Sequence, residues 1–113
     1  MKRYIRNAII EDAYILIDHG ALSSWVMLNY EAGGQGFGGY ALYLPKTFTH
    51  NMGIQGYAGH FIYRTMEIAG VKKWNHLKGK TVRVDSDYSK VYGIGHIIKD
   101  IWFYPTKELI NEA

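Results

Sequence analysis

Apolar and polar positions follow a strand-like pattern through the first 44 residues and then switch to helical spacing. Tyr4 to Ile10 and Ala13 to Ile17 are rich in β-branched and aromatic residues and predict strand, with Glu11-Asp12 as a bulge or bend between them. Asp18-His19-Gly20 is a turn signal, and Ala21 to Tyr30 predicts the returning strand. After a glycine cluster, Tyr40 to Leu44 resumes strand character until Pro45. Ile54, Ala58, Phe61, Ile62, Thr65, Met66 and Ala69 then recur at helical spacing, predicting a helix from Met52 or Ile54 to Ala69, with Gly70 as its left-handed cap.

Val71 to Lys80 reads as a basic connector. Thr81 to Asp85 and Val91 to Trp102 predict two further strands, the second interrupted by Gly93 and Gly95. Pro105 predicts the start of a short helix, Thr106 to Glu112. Strands, one helix, then strands predict an α+β fold in a single domain, 1–113: an antiparallel sheet packed against one main helix, with a short C-terminal helix.

The glycine cluster Gly33-Gly34-Gln35-Gly36-Phe37-Gly38-Gly39-Tyr40 costs backbone entropy, so it needs a reason. It contains Gly34-x-Gly36-x-x-Gly39, the dinucleotide-binding pattern, but that pattern requires a helix directly after it. Strand character follows instead, which excludes the Rossmann reading. Two readings stand level: a flexible hairpin loop, or a loop that contacts a ligand. Phe37 has no evident core to join, and the amides around Gly36 and Gly38 could form an anion-binding concavity.

Other positions carry candidate chemistry. Gly79-Lys80-Thr81 is no P-loop, because Trp74 stands where glycine is needed. Arg83, central in its strand, is a candidate phosphate ligand, while Asp85 reads as a solvated position. Arg64 falls mid-helix beside the apolar stripe, either snorkelling to solvent or entering a pocket. Gly95 to Phe103 breaks its own alternation, which marks His96, Lys99, Asp100 and Trp102 as site candidates. The run Lys72 to Lys80 interleaves basic and aromatic residues; it could bind nucleic acid, and the blander reading is a solvated connector with Trp74 and Leu77 turned inward. His19 reads as a turn residue.

Composition narrows the field. The chain has no cysteine, so disulfides, thiolate metal sites and cysteine nucleophiles are out. No two of its five histidines lie three or four apart, so no metal site is expected. No catalytic constellation or cofactor motif stands out, and no enzyme activity is expected. The net charge of +3 favours anionic partners. The basic start at Lys2-Arg3 is interrupted by Arg6, Asn7, Glu11 and Asp12, and no apolar run approaches membrane-spanning length, so a soluble, unprocessed chain is expected.

Several stretches together resemble a known family. Gly33 to Tyr40, the helix with Gly59-His60-Phe61-Ile62, Trp74 with Lys80-Thr81-Val82-Arg83-Val84, and Gly95-His96-Ile97-Ile98-Lys99-Asp100 before Trp102-Phe103 are similar to the phage Thoeris anti-defence sponge family, over roughly Glu11 to Phe103. The resemblance implies a phage or prophage protein that sequesters a cyclic ADP-ribose isomer in the host cytoplasm without catalysis. It also implies dimers or hexamers with pockets between subunits, aromatic stacking on adenine and arginines on the diphosphate. Phe37 and Trp102 would then stack on the base, Arg83 or Arg64 would clamp phosphate, and Asn75 or Asp100 would read the base edge or a ribose hydroxyl. The alternative is a phage inhibitor that touches a host protein or nucleic acid directly through Lys72 to Lys80 and exposed tyrosines. A hydrolase of such nucleotides is the third reading.

Overall fold

A single long strand organises the sheet. The computed structural model describes residues 2–42 and 57–109. Strand β1 (Tyr4–Asp18) pairs with β2 (Ala21–Tyr30) along its second half and with β4 (Thr81–Ser86) along its first. The expected irregularity at Glu11-Asp12 is a bulge, where the register with β2 shifts between Ile10 and Asp12. The β1–β2 turn has positive φ at both His19 and Gly20, 52° and 80°, which matches a two-residue type I′ hairpin.

Strand β3 (Gly33–Gly38) follows, then helix α1 (Tyr57–Ala69), β4, β5 (Val91–Gly95), β6 (Trp102–Phe103) and helix α2 (Pro105–Glu108). All neighbouring strands are antiparallel, in the order β3-β2-β1-β4-β5-β6, so the predicted α+β architecture is present. Gly70, at φ 74°, ends α1 as expected. The expected helix start at Met52 or Ile54 lies outside the described residues, as do Tyr43, Leu44 and the end of the expected terminal helix.

Three expectations need correction. The glycine cluster is not a loop: Gly33–Gly38 is a strand paired with β2. Tyr40 to Leu42 is not strand, although Leu42 N–H still donates to Leu22 O at 2.8 Å. Val91 to Trp102 is not one strand either; a turn over 96–101 separates β5 from β6, closed by His96 N–H donating to Ile101 O.

The sheet curls strongly. A flat six-stranded sheet would place its outer strands about 24 Å apart at the usual ~4.8 Å spacing. Here Phe37 of β3 and Phe103 of β6, on opposite edges, meet ring to ring at 6.0 Å. Gln35 of β3 also donates to Asp87 O, just beyond β4, at 2.9 Å. The concave face is therefore a closed core, and α1 fills its opening with Phe61, 5.6 Å from both Phe37 and Phe103. Ala8, Ile10, Val26, Leu28, Val82, Val84 and Ile94 line it from the strands, with Ala58, Thr65 and Ile68 from the helix. The convex face carries the alternate strand positions.

Candidate ligand-binding site on the convex face

On the convex face two cross-strand rows run from β4 through β5 to β6. In the first, Arg83 pairs with Gly95, and Gly95 with Trp102. In the second, Asp85 pairs with Gly93, beside which Tyr104 lies. Each glycine leaves room for a ring to lean across it, Trp102 from β6 and Tyr104 from the residue after β6. A β-carbon on Gly95 would stand 2.6 Å from Trp102 Cδ2, and one on Gly93 would stand 2.6 Å from Tyr104 Cδ1. Trp102 thereby reaches Arg83, with the guanidinium carbon 4.9 Å from the ring centre, and Tyr104 reaches Asp85. The two rings stack on each other at 5.9 Å.

Arg83 is held by carbonyls rather than by an acid. Its Nε donates to His96 O at 2.8 Å and its Nη2 to Lys99 O at 2.7 Å. Those carbonyls are aimed by the His96 ring, whose Nδ1 accepts the N–H groups of Ile98 and Lys99, both at 3.0 Å. No carboxylate pairs with Arg83 among the described residues. Lys99 and Asp100 stand exposed on the same turn. The arrangement offers an anion a fixed planar cation beside an indole face.

The second row is internally satisfied. Arg3 grips Asp85 bidentately, Nε to Oδ1 at 3.0 Å and Nη2 to Oδ2 at 2.7 Å, while its guanidinium lies 4.1 Å from the Tyr92 ring centre. Tyr104 donates to Asp85 Oδ2 at 2.7 Å. The Arg3 hydrogen bond, helped by Tyr104, holds the Asp85 carboxyl below its usual range despite burial. Burial, and then the Asp85 contact, push the Tyr104 hydroxyl up to about 12. Asp85 is only 6% exposed, which corrects its reading as a solvated position.

The structure thus gathers Arg83, His96, Lys99, Asp100 and Trp102 at one corner, but not the rest of the expected set. Phe37 is fully buried against Phe61 and Phe103 and cannot stack on a ligand in this chain. Gly36 and Gly38 are strand residues opposite Met27 and Trp25, and the neighbouring Gly39 N–H donates to Ser24 O at 2.8 Å, so this backbone is paired with β2 and does not form the expected loop. Arg64 is already engaged, by Glu108 at 3.0 Å, Glu67 at 2.6 Å and the Trp102 carbonyl at 2.7 Å. Asn75 stands exposed in the 3-10 turn Trp74–His76. In the same connector Leu77 is buried and Trp74 packs on the core, while Lys72, Lys73, Lys78 and Lys80 are exposed.

Arg3, Tyr104 and the two glycine seats were missed by sequence reasoning. A signal existed: glycines at alternate positions in one strand, followed by rings at alternate positions, Trp102 and Tyr104, at and just after the next. No group of three or more metal-ligating side chains occurs among the described residues, and no helix there is long and apolar enough to cross a membrane. Comparison with protein-family models, curated proteins and solved structures finds no match for this chain.

Proposed function

We propose that this chain is a phage anti-defence sponge that binds a cyclic ADP-ribose-type nucleotide in the infected host's cytoplasm and sequesters it undegraded. The observation that carries the reading is Arg83: a guanidinium fixed by two carbonyls, unneutralised by any carboxylate among the described residues, and set against the Trp102 ring. A diphosphate would take the guanidinium's remaining N–H groups, and an adenine could stack on the indole. His96, Lys99 and Asp100 border the same place and would read ribose or base. The chain's resemblance to the sponge family supports the activity, while the location rests on the chemistry of these residues. Because these groups lie on a convex face, a small ligand needs a second wall, which a further copy in a homodimer or hexamer would supply.

Isothermal titration with cyclic ADP-ribose isomers, followed by mass analysis of ligand recovered after heat denaturation, tests this. Tight binding of at least one isomer with unaltered mass is expected, and Arg83→Ala should weaken it by roughly 10- to 100-fold, the worth of a charged hydrogen bond. Heat from no isomer would end the reading, and a product of changed mass would replace it with hydrolysis.

One observation favours direct contact with a host protein or nucleic acid instead: Lys72, Lys73, Lys78 and Lys80 are all exposed on one connector. That reading predicts strongly salt-dependent binding to a macromolecule. Activity that survives changing all four lysines to Ala would discard it.

A further inference from the structure

The β1–β2 hairpin outruns the rest of the sheet. Strand β4 pairs with β1 only over Tyr4–Ile9, and the last contact on that side is at Ile10, whose N–H donates to Lys80 O. From Ala13 to Asp18, β1 has a strand partner on the β2 side alone among the described residues. The two-residue turn fixes which groups face the open side. Asp18 and Ala21 close a type I′ hairpin and form a hydrogen-bonded pair, so Asp18, Leu16 and Tyr14 direct N–H and C=O toward β2. Ala13, Ile15 and Ile17 direct theirs outward.

Among the described residues this edge lacks the usual protections. Residues 13–17, Ala-Tyr-Ile-Leu-Ile, include no charge, no proline and no glycine, and the bulge lies before them. They are also apolar on both faces. Tyr14 is 41% exposed, Ile15 42% and Ile17 76%, although the last two lie on the concave side of the sheet. The helix leaves them exposed: α1 packs against β4, β5 and β6 and, through Phe61, on Phe37 of β3. A backbone edge with apolar side chains above and below it is completed by another extended strand.

We infer that this edge pairs, antiparallel and about a two-fold axis at Ile15, with the same edge of a second copy of this chain. The segment is complementary to itself in that register. Ile15 exchanges both backbone hydrogen bonds with the partner's Ile15, and Ala13 does so with the partner's Ile17. On the opposite face Tyr14 lies beside the partner's Leu16. Every pair between 13 and 17 is apolar, and β1 and β2 of both copies join into one continuous sheet. The register puts Asp12 opposite the partner's Asp18, a like-charge pair that stands exposed at each end of the paired segment. This pairing specifies the assembly invoked for the sponge, but it stands on the strand edge and not on any ligand.

The chain has no cysteine, so one introduced thiol reports on one contact. Sedimentation equilibrium of the full chain should give a dimer or a multiple of it, and Ile15→Lys should shift it to smaller species by opposing two like charges at the axis. Ile15→Cys should then cross-link to itself on mild oxidation, since paired strands hold opposite Cα atoms at about 5.5 Å, within disulfide range. Ile17→Cys should link poorly to itself, its copies lying about 13 Å apart along the strands. Mixed with Ala13→Cys, it should link well. A monomer throughout, or an oligomer in which the Ile17→Cys variant self-links better than the Ile15→Cys variant, overturns the inference. The two readings separate cleanly: nucleotide titration tests the sponge, and the cross-linking pattern tests the edge.

Discussion

The six-membered ring of Trp25 lies across Gly36, so close that a β-carbon there would stand 2.9 Å from its Cε3 and Cζ3. The glycines of β3 are thus a bed for an indole on the convex face, while Phe37 between them points into the core. Gly36→Ala should displace the ring and cost about 1–3 kcal/mol, as overpacking does. In a Trp25→Ala background the same change should cost far less, since the two residues are coupled only through that contact. A chemical-denaturation double-mutant cycle checks this, and additive costs would show that the ring does not constrain Gly36.

Phe37→Ala should remove about 3–5 kcal/mol of stability, because the ring is fully buried between Phe61 and Phe103. The folded fraction should bind nucleotide as the unaltered chain does. A variant of unchanged melting temperature but weakened affinity would return Phe37 to the ligand.

Arg64 and Arg83 should separate in behaviour. Arg64 ties α1 to α2 through Glu108 and to β6 through the Trp102 carbonyl, so Arg64→Ala should cost about 1–3 kcal/mol while leaving nucleotide affinity in place. Arg83→Lys should keep most of the stability yet lose the two-pronged geometry, and with it affinity. Titration and thermal denaturation of both variants, side by side, decide it. The reverse pattern would move the anion site to the helix.

Acid should destabilise the fold through three carboxyls. Asp85 is held low by Arg3, and Asp87 by Tyr92 first and then by the backbone N–H groups of Ser89 and Lys90. Burial pulls Glu108 upward, but Arg64 and His60 outweigh it and leave it lowered. Depressed groups stabilise above their unfolded values, so this contribution is complete at neutral pH and disappears as pH falls below about 4. Melting temperature measured from pH 7 to pH 2 should fall steeply at the low end, and Asp85→Asn should shallow that fall.

Alkali acts with the opposite sign. Tyr104, raised to about 12 by burial and then by Asp85, stabilises fully below its ordinary value of 10.0 and loses that contribution as pH rises through about 12. Tyr92, raised chiefly by its hydrogen bond to Asp87, adds to the same loss. Tyr104→Phe should make stability less sensitive to pH between 10 and 12. An unchanged alkaline slope would show that the hydroxyl does not hold its proton for Asp85.

Much of the fold was legible in the chain. The hairpin Tyr4–Tyr30, its bulge, the helix end at Gly70 and the strand from Thr81, expected to Asp85 and found to Ser86, all follow from periodicity and turn residues, because their determinants lie within a few positions of each other. At the site local signals marked Arg83 by its central place in a strand, and His96, Lys99, Asp100 and Trp102 by a broken alternation visible in the sequence itself. They could not say which arginine was free. Glu67, one turn on from Arg64, is visible in the sequence, but the Glu108 clamp on Arg64 and the two carbonyls that hold Arg83 come from positions distant along the chain.

What the sequence determined by itself was the set of elements and the chemistry available to them. Tertiary structure decided the allegiance of Phe37, the burial of Asp85 and the purpose of the glycines. The first depends on the curl of the sheet, which brings edge strands β3 and β6 together across the core. The other two depend on side chains reaching over from neighbouring segments, Arg3 and Tyr104 onto Asp85 and rings onto strand glycines. Glycine in a strand looks like a weakness when read along the chain. Across strands it is the space a partner's side chain occupies, and that partner lies far away in sequence.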